Sequence, residues 1–177
     1  MKGKEICTVG HSSRTLEEFL ALLQSFQIDT LIDVRRLPGS RKFPHFDKES
    51  LEVHMPKNNI RYLHLEDLGG RRKASKASHN TAWRLKSFRG YADYMETDAF
   101  QSAIHQLETI GRSSRTASFC AEAVWWSCHR SLISDYLKFK GWIVLHIMGA
   151  GKAQEHPYTQ PASIVNNQLV YTERPSS

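Results

Sequence analysis

Short apolar runs alternate along this chain with longer segments of helical period, and that alternation restricts the fold class more than any other feature. Residues 5–9, 30–35, 61–65, 116–119 and 142–147 each read as a strand. Between them, Thr15 and Glu18 form a capping box ahead of Leu16, Phe19, Leu20, Leu23 and Phe26, which keep one apolar face of a helix. Residues 48–55 suit a short helix stopped by Pro56, and 98–110 a longer one stopped by Gly111. A further helix begins near His129, carries Leu132, Ile133, Tyr136 and Leu137 on one side, and ends at Gly141. Alternating strands and helices require a mostly parallel sheet covered on both faces. The expected architecture is a single α/β domain over 1–177, with about five sheet strands and helices on both faces. A small hairpin around Asn166-Asn167 belongs to a C-terminal extension over 150–177. Residues 66–94 lose all periodicity and read as a basic, aromatic-containing loop region, mobile where Gly69 and Gly70 meet Arg71, Arg72 and Lys73.

Bulk properties narrow the setting. The chain has 177 residues, 40% hydrophobic and 24% charged, which suits one soluble domain with a full core. No apolar run approaches the roughly 20 residues that span a bilayer. The first residues enter a strand without a secretory apolar segment, so the cytoplasm is expected and no membrane partner. Three cysteines, Cys7, Cys120 and Cys128, are an odd number in a chain that is not disulfide-dense, and reduced thiols follow. A formal charge of +6 fits an anionic partner, either nucleic acid or a phosphorylated small molecule.

Parallel strands bring their carboxyl ends to one edge, where ligands bind in open α/β sheets. His11, Ser12, Asp33, Arg35, Cys120 and Glu122 all fall at or just beyond such ends. The stretch from Cys120 to Arg130 also holds Trp125, Trp126, Cys128 and His129, a mixture that packing alone does not ask for. Asp33 and Glu122 are candidates for acid–base work, because a carboxylate at a buried strand end is desolvated. The structural alternative pairs Asp33 with Arg35 or Arg36. Cys120 sits where a strand-end nucleophile would, with His129 and Arg130 as sources of positive charge; a small half-buried space filler is the other reading. The first helical turn at His129 and Arg130 suits an anion, such as a phosphate. Cys120, Cys128 and His129 offer a minority metal set, but the closely spaced pairs of a structural zinc site are missing, so no cofactor is expected. Arg41, Trp83, Arg89 and Tyr91 mix cations with flat rings on two loops, as single-stranded nucleic acid binding requires, with Trp126 as a further stacking ring.

Several segments resemble the bacterial and archaeal family known as domain of unknown function 488. They are Thr8-Val-Gly-His-Ser12, Leu31-Ile-Asp-Val-Arg35, Arg61-Tyr-Leu-His-Leu-Glu-Asp-Leu-Gly-Gly70, Ser87-Phe-Arg-Gly-Tyr-Ala-Asp-Tyr-Met95, the Cys120 to Arg130 stretch, and His156-Pro-Tyr-Thr159. Trp126 departs from the Pro-Trp pair expected in that family. The resemblance implies a fold and carries no activity.

These features together suggest an enzyme that hydrolyses a base or glycosidic bond in nucleic acid or a nucleotide. Asp33 and Glu122 would move protons, with Cys120 and His129 at the same centre. Substrate would be held by His11, Ser12, Arg35, Arg41, Trp83, Arg89, Tyr91, Trp126 and Arg130. Two alternatives stand beside it. One is rhodanese-like sulfur or phosphoryl transfer through Cys120, although Arg130 lies farther from Cys120 than such a loop requires. The other is a non-catalytic nucleic-acid binder.

Overall fold

The computed structural model describes residues 4–173. Residues 1–3 and 174–177, which the sequence reading places in the N-terminal stretch and the C-terminal extension, lie outside the described residues. The chain runs β1 (Glu5–Gly10), α1 (Leu16–Ser25), β2 (Thr30–Asp33), α2 (Lys48–Lys57), β3 (Arg61–His64), α3 (Lys86–Tyr94), α4 (Asp98–Ser113), β4 (Thr116–Cys120), α5 (Arg130–Phe139), β5 (Ile143–Gly149), β6 (Lys152–Glu155), β7 (Ser163–Val165) and β8 (Gln168–Val170). The sheet has six strands in the order β3-β2-β4-β1-β5-β6, and only β6 runs antiparallel to its neighbour. The α/β class, the mostly parallel sheet and the terminal hairpin agree with the sequence reading. None of the described helices is long and apolar enough to cross a membrane.

Local chemistry explains most boundaries. Thr15 accepts from the Glu18 N–H and Glu18 accepts from the Thr15 N–H, so the capping box of α1 is complete. Gly141 takes φ +91° after α5, a conformation that favours glycine. Asn166 and Asn167 take φ +50° and +59°, the paired left-handed residues of a two-residue hairpin turn.

Four expectations are corrected. Pro56 does not stop α2, which continues to Lys57. Residues 86–94 form α3 instead of loop, because Gly90, Tyr91 and Ala92 are buried while its charges stay outside. The preceding segment is pinned: Asp93 accepts from the Ser75 N–H, the Ser78 hydroxyl and the Asn80 amide. Strand β6 was not foreseen, since all four of its residues are exposed and carry no apolar signal. Helix α4 passes through Gly111, beside which Trp142 packs so closely that a Cβ would lie 3.0 Å from the indole.

Two apolar clusters divide at the sheet. Cys7, Val9, Leu31, Ala117 and Phe119 pack on α1 and α2. Ile6, Ile32, Cys120 and Val144 pack on α3, α4 and α5. Chains leaving β1 and β2 therefore pass to one face, and the chain leaving β4 passes to the other. A crevice opens at the carboxyl end of β4, which is flanked on both sides by strands whose connections diverge from its own.

Candidate active site

The crevice holds a cleft of about 620 Å³, within the range of small-molecule sites. The β1 loop contributes His11, Ser12 and Ser13, and the β2 loop Arg35, Arg36, Ser40, Lys42 and Phe43. Gly70 and Arg71 come from beyond β3, and Cys120, Glu122, Cys128 and His129 from beyond β4. Backbone bonds close the crevice: the His11 N–H donates to the Cys120 carbonyl at 3.0 Å, and the Ser12 N–H to that of Ala121 at 3.0 Å. Gly10 is needed for that closure. A Cβ there would lie 1.6 Å from the Glu122 carbonyl oxygen.

Two thiols form the floor. The sulfurs of Cys120 and Cys128 lie 3.0 Å apart, and both residues are buried. Arg130 is 1% exposed, and its Nε has no hydrogen-bond partner. One terminal nitrogen donates to the Glu122 carbonyl at 3.3 Å, and no carboxylate among the described residues pairs with the guanidinium. A buried unpaired charge is costly, and the thiols are the groups placed to offset it. The hydrogen bond from Cys128, against burial and with help from Arg130, brings the Cys120 thiol down to about 7. Burial pushes the Cys128 thiol up. Of the two, Cys120 is shifted toward acidity and Cys128 away from it. Cys7 is buried on the other face, where desolvation raises it to about 11.

Arg130 was expected to face a phosphate, and this is corrected. The first turn of α5 is already engaged: the Arg130 N–H donates to the Cys128 sulfur at 3.3 Å and the Ser131 N–H to the Cys128 carbonyl at 3.1 Å. The Arg130 charge instead favours the anionic form of both thiols.

Asp33 does not open onto the cleft. Arg35 grips its carboxylate with two side-chain N–H groups at 2.9 and 2.8 Å, its own backbone N–H adds a third bond at 3.0 Å, and the Tyr62 hydroxyl a fourth at 2.5 Å. The pair is buried, at 0% and 8% exposure. Arg35 also donates to the Phe46 carbonyl at 2.6 Å and lies over the Phe119 ring, 4.7 Å from its centroid. The structural alternative for Asp33 is the one the geometry favours: it fixes Arg35, which does line the cleft. Glu122 lies on the cleft with its side chain exposed, so the two carboxylates do not share a pocket.

His11 and His129 are neutral groups. Burial lowers both to about 4. His11 donates from Nδ1 to the Ser12 carbonyl at 2.8 Å and stacks on Phe46 at 4.3 Å. His129 donates from Nε2 to the Val34 carbonyl at 2.8 Å, and its Nδ1 faces Gly70, where a Cβ would come within 2.9 Å. Each ring is left with one nitrogen able to accept a proton.

The expected stacking residues do not converge here. Tyr91 is 1% exposed and donates its hydroxyl to the Leu68 carbonyl at 2.8 Å, so it offers no ring face. Trp83 packs between Phe88 and Tyr171, and Arg89 donates to its carbonyl at 3.0 Å. Trp126 is 54% exposed, but with Trp83 and Trp125 it lines a separate cavity of about 190 Å³. Arg41 is exposed near the cleft without lining it. Among the described residues, no group of three His, Cys, Asp or Glu side chains could hold a metal.

Three exposed cations, Arg36, Lys42 and Arg71, stand on the cleft wall; the basic loops that carry Lys42 and Arg71 were legible in the sequence, whereas Arg36 was read only as a partner for Asp33. Single basic residues in loops carry no pattern that separates a wall from a solvated surface. Sequence reasoning missed a buried chain in which Asp135 meets His156 at 2.8 Å, His156 meets His146 at 2.8 Å, and His146 meets Thr8 at 2.5 Å. Thr159 and Tyr171 donate to the same Asp135 carboxylate at 2.5 and 2.8 Å, and this ties the C-terminal segment to α5. The motif around His156 was its one visible signal. Trp125 stacks on His146 at 4.7 Å and fixes the turn that carries Cys128.

No curated protein and no solved structure matches this chain. The thiol pair, the strand-end loops and α5 all fall within or beside a single matched span, from residue 15 to residue 137 of 177. Over that span, most of its length, the chain matches the family described as domain of unknown function DUF488, and it belongs to that family.

Proposed function

We infer that this protein is an enzyme in which Cys120 acts as a nucleophile on an anionic substrate held in the strand-end cleft. The observation that carries this reading is the buried Arg130 guanidinium, which has no carboxylate partner among the described residues and whose charge favours the anionic form of both Cys120 and Cys128, two sulfurs 3.0 Å apart. Cys120 supplies the attacking sulfur, and Cys128 supports it through the hydrogen bond between the two sulfurs at 3.0 Å. Arg36, Lys42 and Arg71 draw in negative charge, whether from a phosphorylated small molecule or from nucleic acid. Glu122 is the one acidic side chain among the described residues of the cleft wall and can exchange a proton with a leaving group. Carboxylate-assisted hydrolysis fits less well, since Asp33 has no oxygen to spare.

Competing alkylating agents test this without knowledge of the substrate. Iodoacetamide is neutral and iodoacetate is anionic. The folded protein is expected to be labelled at Cys120, by iodoacetate faster than by iodoacetamide, with Cys7 untouched. An unlabelled Cys120, or a preference for the neutral reagent, overturns the reading.

A further inference from the structure

Resting on that reading, we propose that Cys128 is a resolving thiol and that the site acts on sulfur electrophiles, specifically anionic disulfides, with Cys120 and Cys128 closing to an internal disulfide. Three observations carry this.

The first is the pairing itself. A thiol that only filled space beside a nucleophile has no reason to lie 3.0 Å from it. An S–S bond is about 2.0 Å long, so a shift of about 1 Å closes the pair. The connecting loop includes the short turn Trp125–Ser127, held by the stack of Trp125 on His146 and by the indole N–H donating to the Gln154 amide oxygen at 3.2 Å. Cys128 therefore sits on an anchored segment next to Cys120.

The second is the chemistry of the leaving group. Attack on sulfur develops charge on the leaving sulfur, so it does not depend on the His11, Ser12, Arg130 and Ser131 N–H groups, which are spent on the Cys120 and Ala121 carbonyls and on the Cys128 sulfur and carbonyl.

The third is asymmetry. Cys120 lies low and Cys128 high on the acidity scale, the division of labour between an attacking and a resolving thiol. The cations on the wall favour an electrophile that carries negative charge.

The steps balance. The Cys120 thiolate attacks one sulfur of R–S–S–R′, forming the bond Cys120–S–S–R and expelling R′–S⁻. Cys128 gives up its proton and attacks the Cys120 sulfur, forming the internal disulfide and expelling R–S⁻. The substrate disulfide gains two electrons and leaves as two thiols, and the protein loses two electrons. An external dithiol returns the protein to its starting state.

Oxidised glutathione, an anionic disulfide, is the probe, read by intact mass and peptide mapping on the full chain. The native protein is expected to lose two hydrogens and release two equivalents of reduced glutathione. Cys128→Ser should stop at one glutathionyl group on Cys120, and Cys120→Ser should not react. Cys128→Ala serves if the serine variant fails to fold. A stable glutathionyl group on Cys120 of the native protein overturns the resolving role and leaves the nucleophile standing. So does a native protein inert to the disulfide but labelled at Cys120 by iodoacetate. If Cys120→Ser still takes up glutathione at Cys128, while iodoacetate fails to label Cys120, both readings fall.

Discussion

Asp33 and Cys120 stand at the carboxyl ends of neighbouring parallel strands, one residue out of step, and so project to opposite faces of the sheet. Asp33 pairs in register with Phe119, and both face α1 and α2; Cys120, the next residue, faces α3 to α5. This separates a structural ion pair from a thiol site at the same edge of the sheet.

Breaking the ion pair should act first on stability. Asp33→Ala leaves the Arg35 guanidinium buried without its partner, a loss expected to be about 3–5 kcal/mol. Urea denaturation measures it, with the Cys120 alkylation rate followed in the same samples. A loss below about 1 kcal/mol, the range of exposed pairs, would show that Asp33 is not holding Arg35.

Alkylation of Cys120 by iodoacetamide should rise with pH around a midpoint of about 7. Arg130→Met removes a positive charge beside the thiolate and Cys128→Ala removes its hydrogen bond, so each should move the midpoint upward. The same acidity has a stability consequence. The Cys120 thiol is lowered from 9.0 in the unfolded chain, so its contribution is full above about pH 9 and is lost as pH falls through about 7. An unchanged midpoint in Arg130→Met would remove that guanidinium from the thiolate's support.

The buried imidazoles add an acid-labile component at lower pH. His11 and His129 are lowered from 6.5 to about 4, and His146 to about 2, chiefly by burial. Unfolded imidazoles take up protons below about 6.5 while the folded ones resist, so their contribution is present above 6.5 and is lost as pH falls toward 4. Thermal denaturation between pH 7 and pH 4 should show a steadily falling midpoint. His129→Gln should flatten the curve, and a curve of the same slope in that variant would count against a neutral buried His129.

The cleft wall should respond to salt. Arg36→Ala and Arg71→Ala are expected to shrink the preference for iodoacetate over iodoacetamide, with little effect on folding because both side chains are exposed. In native protein the preference should fade between 0.1 M and 1 M salt, as the screening length drops from about 10 to about 3 Å. A preference insensitive to salt would mean that these cations do not steer the reagent.

Gly10→Ala should damage the site and the fold together. Its Cβ would displace the Glu122 carbonyl, the one acceptor for the Arg130 side chain among the described residues. A cost of about 1–3 kcal/mol is expected from the overpacking, along with slower Cys120 alkylation. Native reactivity in a destabilised variant would uncouple the Glu122 carbonyl from the thiol.

The amino-acid pattern by itself determined the alternation of strands and helices, the capping box at Thr15, the hairpin at Asn166 and Asn167, and which residues reach the carboxyl edge. These are local matters, governed by period, capping and turn chemistry. Strand β6 escaped because a polar edge strand has no period to read, and α3 escaped because its aromatic and basic residues resemble a loop until Tyr91 is seen to be buried. Only the tertiary structure decided which edge residues share a cleft. Side chains on a strand alternate between faces, so a single step of register parted Asp33 from Cys120. The turn between β4 and α5 folded Cys128 back against Cys120, and with that the site became a thiol pair near a buried cation instead of a pair of carboxylates.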